Sequence, residues 1–255
     1  MAGSLLGIGS SALLAYQRAL DTVSHNVANV NTEGYSRQQV DLSARKPSGT
    51  AGMYTGTGVD VTSVRRVYDQ FLTNEVRGHS SSHKEHDTFH ALASGLDNLL
   101  ADGSAGLSPA LNSFFDAAQG VSDDPTSTAA RQVMISEAEA LASRFQDLDL
   151  WVKDTRSGVN GQLGAAVQEI NQLTRGIAEI NQEIIVAQGA AGGQPPNDLL
   201  DQRDQMVLEL SGMVSVSTTM QDDGSLNVFM GSGQVLVLGT DHNSFVAQAS
   251  TCLLY

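Results

Sequence analysis

The sequence predicts a mainly α fold with a β part, and three observations carry that prediction. Apolar residues recur every three or four positions over most of the 255 residues, as one face of a helix requires. They alternate with polar residues in only two places, near 38–64 and after Gly212, as half-buried strands do. Aromatic residues make up 5% of the chain against 25 glycines, a composition that suits close helix packing more than a bulky core.

Residues 4–30 read as one amphipathic helix. Leu6, Gly9, Leu13, Tyr16, Leu20, Val23, Val27 and Val30 keep a strict 3-4 spacing, the pattern of a coiled-coil seam, and Leu5, Ala12, Ala19 and Asn26 widen it. Such a helix is about 40 Å long. The loops after it are too short to cover its apolar face, so it needs a partner helix. It ends in the run His25-Asn26-Val27-Ala28-Asn29-Val30-Asn31-Thr32-Glu33-Gly34-Tyr35-Ser36-Arg37. Asparagine donates, accepts and tolerates left-handed backbone. Asn26, Asn29 and Asn31 can therefore close the helix and still reach a neighbouring chain, while Gly34 supplies the turn. An ordinary helix stop and a junction read by another subunit both fit this run.

Val40, Leu42 and Ala44 mark a strand over 38–44, and Lys46–Gly58, rich in Gly, Ser, Thr and Pro, reads as a loop. Val59, Val61 and Val64 form a second extended piece that can pair with the first. Helical spacing resumes at Val67 and runs through Phe71, Leu72, Val76, Phe89, Leu92, Leu96 and Leu99, with Gly78 as the point where it could break. Leu107–Val121 is the next helix, with Ser108 as N-cap and Pro109 at the first helical position.

The longest periodic segment, 126–188, carries Met134, Ala138, Leu141, Phe145, Leu148, Val152, Thr155 and Val159, then Leu163, Val167, Ile170, Leu173, Ile177, Ile180 and Ile184. The phase slips by one residue between Val159 and Leu163, beside Gly158, Gly161 and Gly164, which predicts a local unwinding or bend. Asn197 or Asp198 caps a further helix to about Leu210. Val214, Val216 and Thr218 then alternate, Asp223-Gly224 makes a hairpin turn, and Leu226, Val228, Met230 and Val235–Leu238 follow. A sheet built from so short a segment is marginal, so residues 241–255 are expected to fray.

The formal net charge of −14 argues against nucleic acid and against an anionic membrane surface as partners. One cysteine, Cys252, excludes an intramolecular disulfide and a cysteine-based zinc site. No signal-peptide pattern opens the chain and no 18-residue apolar stretch follows. Nothing in the sequence calls for a cofactor. Gly7-Ile8-Gly9-Ser10-Ser11-Ala12 matches a dinucleotide fingerprint only in letters, because no strand precedes it to carry the turn. No nucleophile elbow, Walker loop or H-E-x-x-H occurs, so an enzyme reading has no signature to rest on.

The candidate metal stripe is His79, His83, His86 and His90, whose spacings of four, three and four residues put all four imidazoles on one helical face. Its plain alternative is a solvated polar stripe beside Phe89 and Leu92. Asp198, Asp201 and Asp204 flank Arg203; paired carboxylates serve acid–base chemistry, but helix capping, dipole complement and a local Arg203 pair account for them more simply.

The run from His25 to Tyr35 resembles the N-terminal signature of the bacterial flagellar axial proteins (rod, hook and hook-associated proteins), close to NNxANxNTxGY, with His25 at the first Asn position and Val30 between Asn29 and Asn31. Asn197-Asp198-Leu199-Leu200-Asp201-Gln202-Arg203-Asp204 resembles the hook-associated members that join hook to filament. The likeness runs from about Leu5 to about Leu238 and leaves out Ser250–Tyr255.

The resemblance implies a non-enzymatic structural subunit that self-assembles with like subunits, the hook protein and the second junction protein. It would leave the cell by flagellar type III export without a cleaved signal. The assembly interface it implies is Leu13, Tyr16, Leu20, Val23, Asn26, Val27, Asn29, Val30, Asn31, Gly34 and Tyr35, and no metal is implied at the His stripe. The expected divisions are an N-terminal axial helix and Asn-rich turn at 1–35, a helical rod domain at 36–212 with strands near 38–64, and an incomplete β domain at 213–255. In the family the partner helix and the export chaperone's docking region are C-terminal. This sequence stops before such a segment and so reads as truncated. The alternatives are another axial protein of the hook or distal rod, and a coiled-coil binding or adhesin module.

Overall fold

The computed structural model describes residues 5–50, 53–101, 106–231 and 233–248. Its helices and strands are mainly α with a smaller antiparallel β part, in line with the sequence. They divide into two compact units.

The first unit comprises Met1–Ser81 and Glu169–Phe245. Helix α1, Leu5–Ala28, ends two residues before the expected Val30. Strand β1, Gln38–Ala44, pairs antiparallel with β4, Val59–Arg66; Val40 faces Val64 and Leu42 faces Val61, with a register shift between Asp41 and Leu42. The expected pairing therefore forms. The connection between them is not the plain loop expected from its composition. Ser48–Thr50 (β2) and Met53–Thr55 (β3) pair as a small hairpin, with Gly49 opposite Tyr54. Strand pairing satisfies backbone groups whatever the side chains are, which a Gly- and Ser-rich composition does not reveal.

Helix α2, Gln70–Ala101, starts after the expected Val67 because Asp69 caps it. The Asp69 Oδ1 accepts the N–H of Phe71 at 2.9 Å and of Leu72 at 3.2 Å. Gly78 lies inside this helix without breaking it.

Helices α4 (Thr128–Ala190) and α5 (Asn197–Ser211) bring the rest of the core. The helix α4 runs unbroken through Gly158, Gly161 and Gly164, where the sequence predicts unwinding. A Cβ at any of the three would meet nothing within 4 Å. Each glycine costs a helix about 1 kcal/mol relative to alanine, and the phase slip turns the apolar stripe around the helix without interrupting its hydrogen bonds.

Strands β5 (Val216–Met220), β6 (Leu226–Met230), β7 (Val235–Leu238) and β8 (Asp241–His242) form an antiparallel meander in that order. The Asp223-Gly224 turn joins β5 to β6 as expected, with Gly224 at φ 85°. Leu226, Val228, Leu236 and Val237 of this sheet share one core with Ile170, Ile177 and Ala178 of α4 and Val207 and Leu210 of α5. That shared core is why the expected fraying does not begin at residue 241. The strand β8 pairs with β7, and Asn171 on α4 exchanges two hydrogen bonds with the Phe245 backbone, at 2.8 and 2.9 Å. Cys252 and the final stretch Ser250–Tyr255 lie outside the described residues.

The second unit comprises Ser82–Gln168 and Val246–Tyr255. Its α3, Leu107–Asp123, is capped by Gly106 with no side-chain bond, so Ser108 sits inside the helix instead of capping it. The next turn is built by Asp124, whose Oδ1 accepts from Thr126 N–H at 3.2 Å and Oγ1 at 2.9 Å. Ser127 Oγ then accepts the Ala130 N–H at 3.2 Å and opens α4. Among the described residues no large apolar side chain of this unit is fully buried.

Candidate functional site

The amphipathic α1 has two faces of different chemistry, and the structure uses the smaller one internally. Ser11, Ala15 and Thr22 are buried, a stripe of small side chains toward the β1–β4 pair. Ser11 Oγ donates to Ile8 O at 2.8 Å and accepts the Val59 N–H at 3.2 Å. Gly58, at φ 113°, stands directly against Ser11, so the approach requires a residue without Cβ. The seam residues Leu13, Tyr16, Leu20, Val23, Val27 and Val30 point the other way, with relative exposures from 55% to 72%.

The turn after α1 is closed by its own side chains. Asn26 behaves like an added strand residue: its Nδ2 donates to Gln38 O at 2.9 Å, and its Oδ1 accepts Gln38 N–H at 2.8 Å and the Tyr35 hydroxyl at 2.7 Å. Asn29 Nδ2 donates to His25 O at 3.1 Å, and its Oδ1 accepts from Thr32 at 3.2 Å. Asn31 is exposed. Gly34 has φ 78° and lies on Gln205, whose Oε1 would be 2.9 Å from an added Cβ.

A phenol has one hydrogen to give, and Tyr35 gives it to Asn26. His25 Nδ1, 3.0 Å from the Tyr35 oxygen, is therefore the donor of that bond. Burial, then the charges of Asp198 and Asp201, raise the Tyr35 pKa above its usual 10.0.

The residues that hold this turn come from α5. Pro196 occupies its N-cap position without a side-chain bond, so neither Asn197 nor Asp198 caps it as expected. Both are engaged elsewhere. Asn197 Nδ2 donates to Val64 O at 2.7 Å, and Asp198 Oδ1 accepts from Gln38 Nε2 at 2.8 Å. Asp201 Oδ2 accepts the Ser36 N–H at 2.9 Å, and its Oδ1 accepts Arg66 Nη1 at 2.7 Å. The same Arg66 nitrogen reaches Asp204 Oδ2 at 2.9 Å, and Arg77 Nη2 donates to Asp204 Oδ1 at 3.0 Å.

Arg203 does not pair with its sequence neighbours. It turns inward, 1% exposed, and donates to Asn181 Oδ1 at 3.1 Å and Gly224 O at 2.7 Å. Burial lowers its pKa to about 10; Asp204 opposes that shift, and the nearby Arg66 and Arg77 add to it. The Asp201 and Asp204 carboxylates, committed to guanidinium groups and a backbone amide, hold structure. A cleft of about 490 Å³ remains between the turn and this helix, bordered by His25, Glu33, Tyr35, Asp198 and Glu209.

Arg66, Arg77, Gln38 and Asn181 are partners that the sequence did not single out. The i, i+3 spacing of Asp201 and Asp204 announces a charged helical face, but which distant arginines meet it is set by tertiary folding.

The His stripe lies on α2. His79 Nε2 is 3.4 Å from Glu75, His83 Nε2 is 3.4 Å from Asp87, and His90 Nδ1 is 3.4 Å from Ser94 Oγ. Among the described residues no group of three His, Cys, Asp or Glu side chains could hold a metal ion. Among them, too, no helix is long and apolar enough to cross a membrane.

Comparison with known proteins agrees with the motif assignment. Residues 93–252 match the model of the flagellar hook-associated protein FlgK helical domain, and residues 6–35 match that of the flagella basal body rod protein. The chain is 40% identical over 248 residues to flagellar hook-associated protein 1 of Salmonella typhimurium, covering 97% of this chain and 45% of that one. It is 32% identical over 254 residues to the protein of the same name in Bacillus subtilis, covering 95% and 50%. A solved structure, the flagellar hook junction protein FlgK from Burkholderia pseudomallei, superposes with a TM-score of 0.60 at 31% identity, over 67% of this chain and 30% of that one. The chain thus spans about half the length of the curated relatives it matches.

Proposed function

The chain belongs to the flagellar hook-associated protein FlgK family, and from that premise we propose that it is a non-enzymatic structural subunit of the bacterial flagellum that joins hook to filament. The observation that carries the assembly reading is the division of labour on α1. Its small residues pack internally, while Leu13, Tyr16, Leu20, Val23, Val27 and Val30 stay outward at coiled-coil spacing. An apolar stripe of that length on a folded helix is a surface for another helix. The partners are like subunits, the hook protein and the second junction protein. The Asn26–Tyr35 turn fixes the register, because its hydrogen bonds leave polar groups unpaired if the helix slides. Type III flagellar export accounts for delivery outside the cell, with the seam disordered or guarded by a chaperone before assembly.

Co-sedimentation with purified hook polymers tests this reading, using the 255-residue chain beside a version lacking residues 1–35. Binding by the first and not the second is expected. Equal binding by both would remove the N-terminal helix from the contact, and no binding even when a helical peptide partner is added would remove the assembly reading itself.

A further inference from the structure

The arrangement on α5 points to a further role, which rests on the assembly reading above. We propose that Asp201 and Asp204 are positioning residues for assembly: a clamp of two carboxylates that holds the 29–37 turn, and with it α1, at a fixed angle within its unit. One helical turn separates the two residues, so they project from the same side of the helix. Their four oxygens reach three different elements. Asp201 takes the Ser36 N–H, at the point where the chain leaves the turn, and shares Arg66 of β4 with Asp204; Asp204 also takes Arg77 of α2. The Arg66, Arg77 and Asp201 side chains are at most 8% exposed, so water is poorly placed to substitute for a lost partner.

The rest of the α1 contact is held by neutral hydrogen bonds, from Asn26 to Gln38 and Tyr35 and from the Val59 N–H to Ser11 Oγ. Ala15 and Thr22 only pack against the β1–β4 pair, and neutral hydrogen bonds yield to a tilt more readily than charge-assisted ones do. A helix that slips by one residue moves its seam by about 1.5 Å and rotates it by about 100°, enough to turn Val23 and Val27 away from a partner. A neutral acceptor at 201 would still hold the Ser36 N–H; only a carboxylate holds that N–H and a guanidinium together. The clamp gives the Asp201–Asp204 spacing a function beyond helix capping.

Distance measurement between spin labels tests it in the full chain. Labels go at Gln17→Cys and Glu209→Cys, both exposed positions, in a Cys252→Ser background. A narrow distance distribution is expected for this parent. Asp201→Ala should broaden it about twofold and weaken co-sedimentation with hook polymers about tenfold. Asp201→Asn, which keeps an acceptor for Ser36, should fall between, and helical melting should still report a folded core. If Asp201→Ala does not fold, Ser36→Pro removes the same N–H, while also fixing φ at 36 and restricting Tyr35, and is read beside Asp201→Asn. An unchanged distribution overturns the clamp. A broadened distribution with undiminished hook binding overturns its role in assembly. A parent that does not bind hook polymers, while its distances still respond to Asp201→Ala, overturns the assembly reading and leaves a purely local anchor.

Discussion

Single residues decide how closely the parts of the first unit approach. Gly58 is required twice, by its positive φ and by Ser11 against it. Gly58→Ala should lower stability by about 1–3 kcal/mol, and Ser11→Ala in the same chain should recover part of that loss, the part due to Oγ. Chemical denaturation of the two single variants and the double variant measures the coupling, and strict additivity would disprove the contact. Asn181 is the buried counterpart. Its amide donates to Leu226 O at 2.9 Å and Gly239 O at 2.6 Å, and its oxygen accepts from Leu226 N–H at 3.0 Å and Arg203 at 3.1 Å. Asn181→Leu keeps the branched shape but is bulkier; it takes the Asn181 partner from Leu226 O, Leu226 N–H and Gly239 O and leaves Arg203 Nη1 with Gly224 O, an expected loss of about 3–5 kcal/mol by urea unfolding. A loss under about 1 kcal/mol would mean that water replaces those bonds.

At the scale of elements, the two faces of α1 make opposite predictions for similar substitutions. Val23 and Val27 are exposed, so Val23→Asp or Val27→Asp should leave the α4–α5–sheet core folded, read by circular dichroism, yet abolish incorporation into hook polymers. Normal incorporation of either would refute the seam. The β5–β6 turn makes a pH prediction. Two hydrogen bonds from Ser225, first from its hydroxyl and then from its N–H, hold the Asp223 carboxyl below its usual 3.8. A depressed folded pKa contributes stability that is present above 3.8 and lost as pH falls through the lower folded value. Comparing thermal melting of the parent and Asp223→Asn at neutral and strongly acidic pH should show a difference that shrinks on acidification. A gap that stays constant would exclude this carboxylate as the source.

For the whole molecule, burial is unevenly distributed among the described residues. Ile177, Ile184, Val207, Leu210, Val228, Leu236 and Val237 are fully enclosed in the first unit, whereas Phe115, Phe145 and Val152 of the second are at least half exposed. Local stability follows buried apolar contact. Amide exchange should therefore be slowest over Ile177–Ile184, Val207–Leu210, β6 and β7, and faster over α3 and the first half of α4. Uniform protection along the chain would contradict that ordering.

What the sequence determined by itself was periodic. The 3-4 and alternating spacings placed α1, β1, β4, α4 and the meander, and the His25–Tyr35 and Asn197–Asp204 runs indicated the family, because periodicity and short motifs are local properties of the chain. Only tertiary structure decided which partners those side chains meet. Pro196 and not Asn197 takes the N-cap, Arg203 turns to Asn181 and not to Asp204, and Ser36, Arg66 and Arg77 converge on two aspartates more than 120 residues away. Spacing along a helix states which side chains share a face. It does not state which distant element folds against that face, since that choice is made by the packing of the core as a whole.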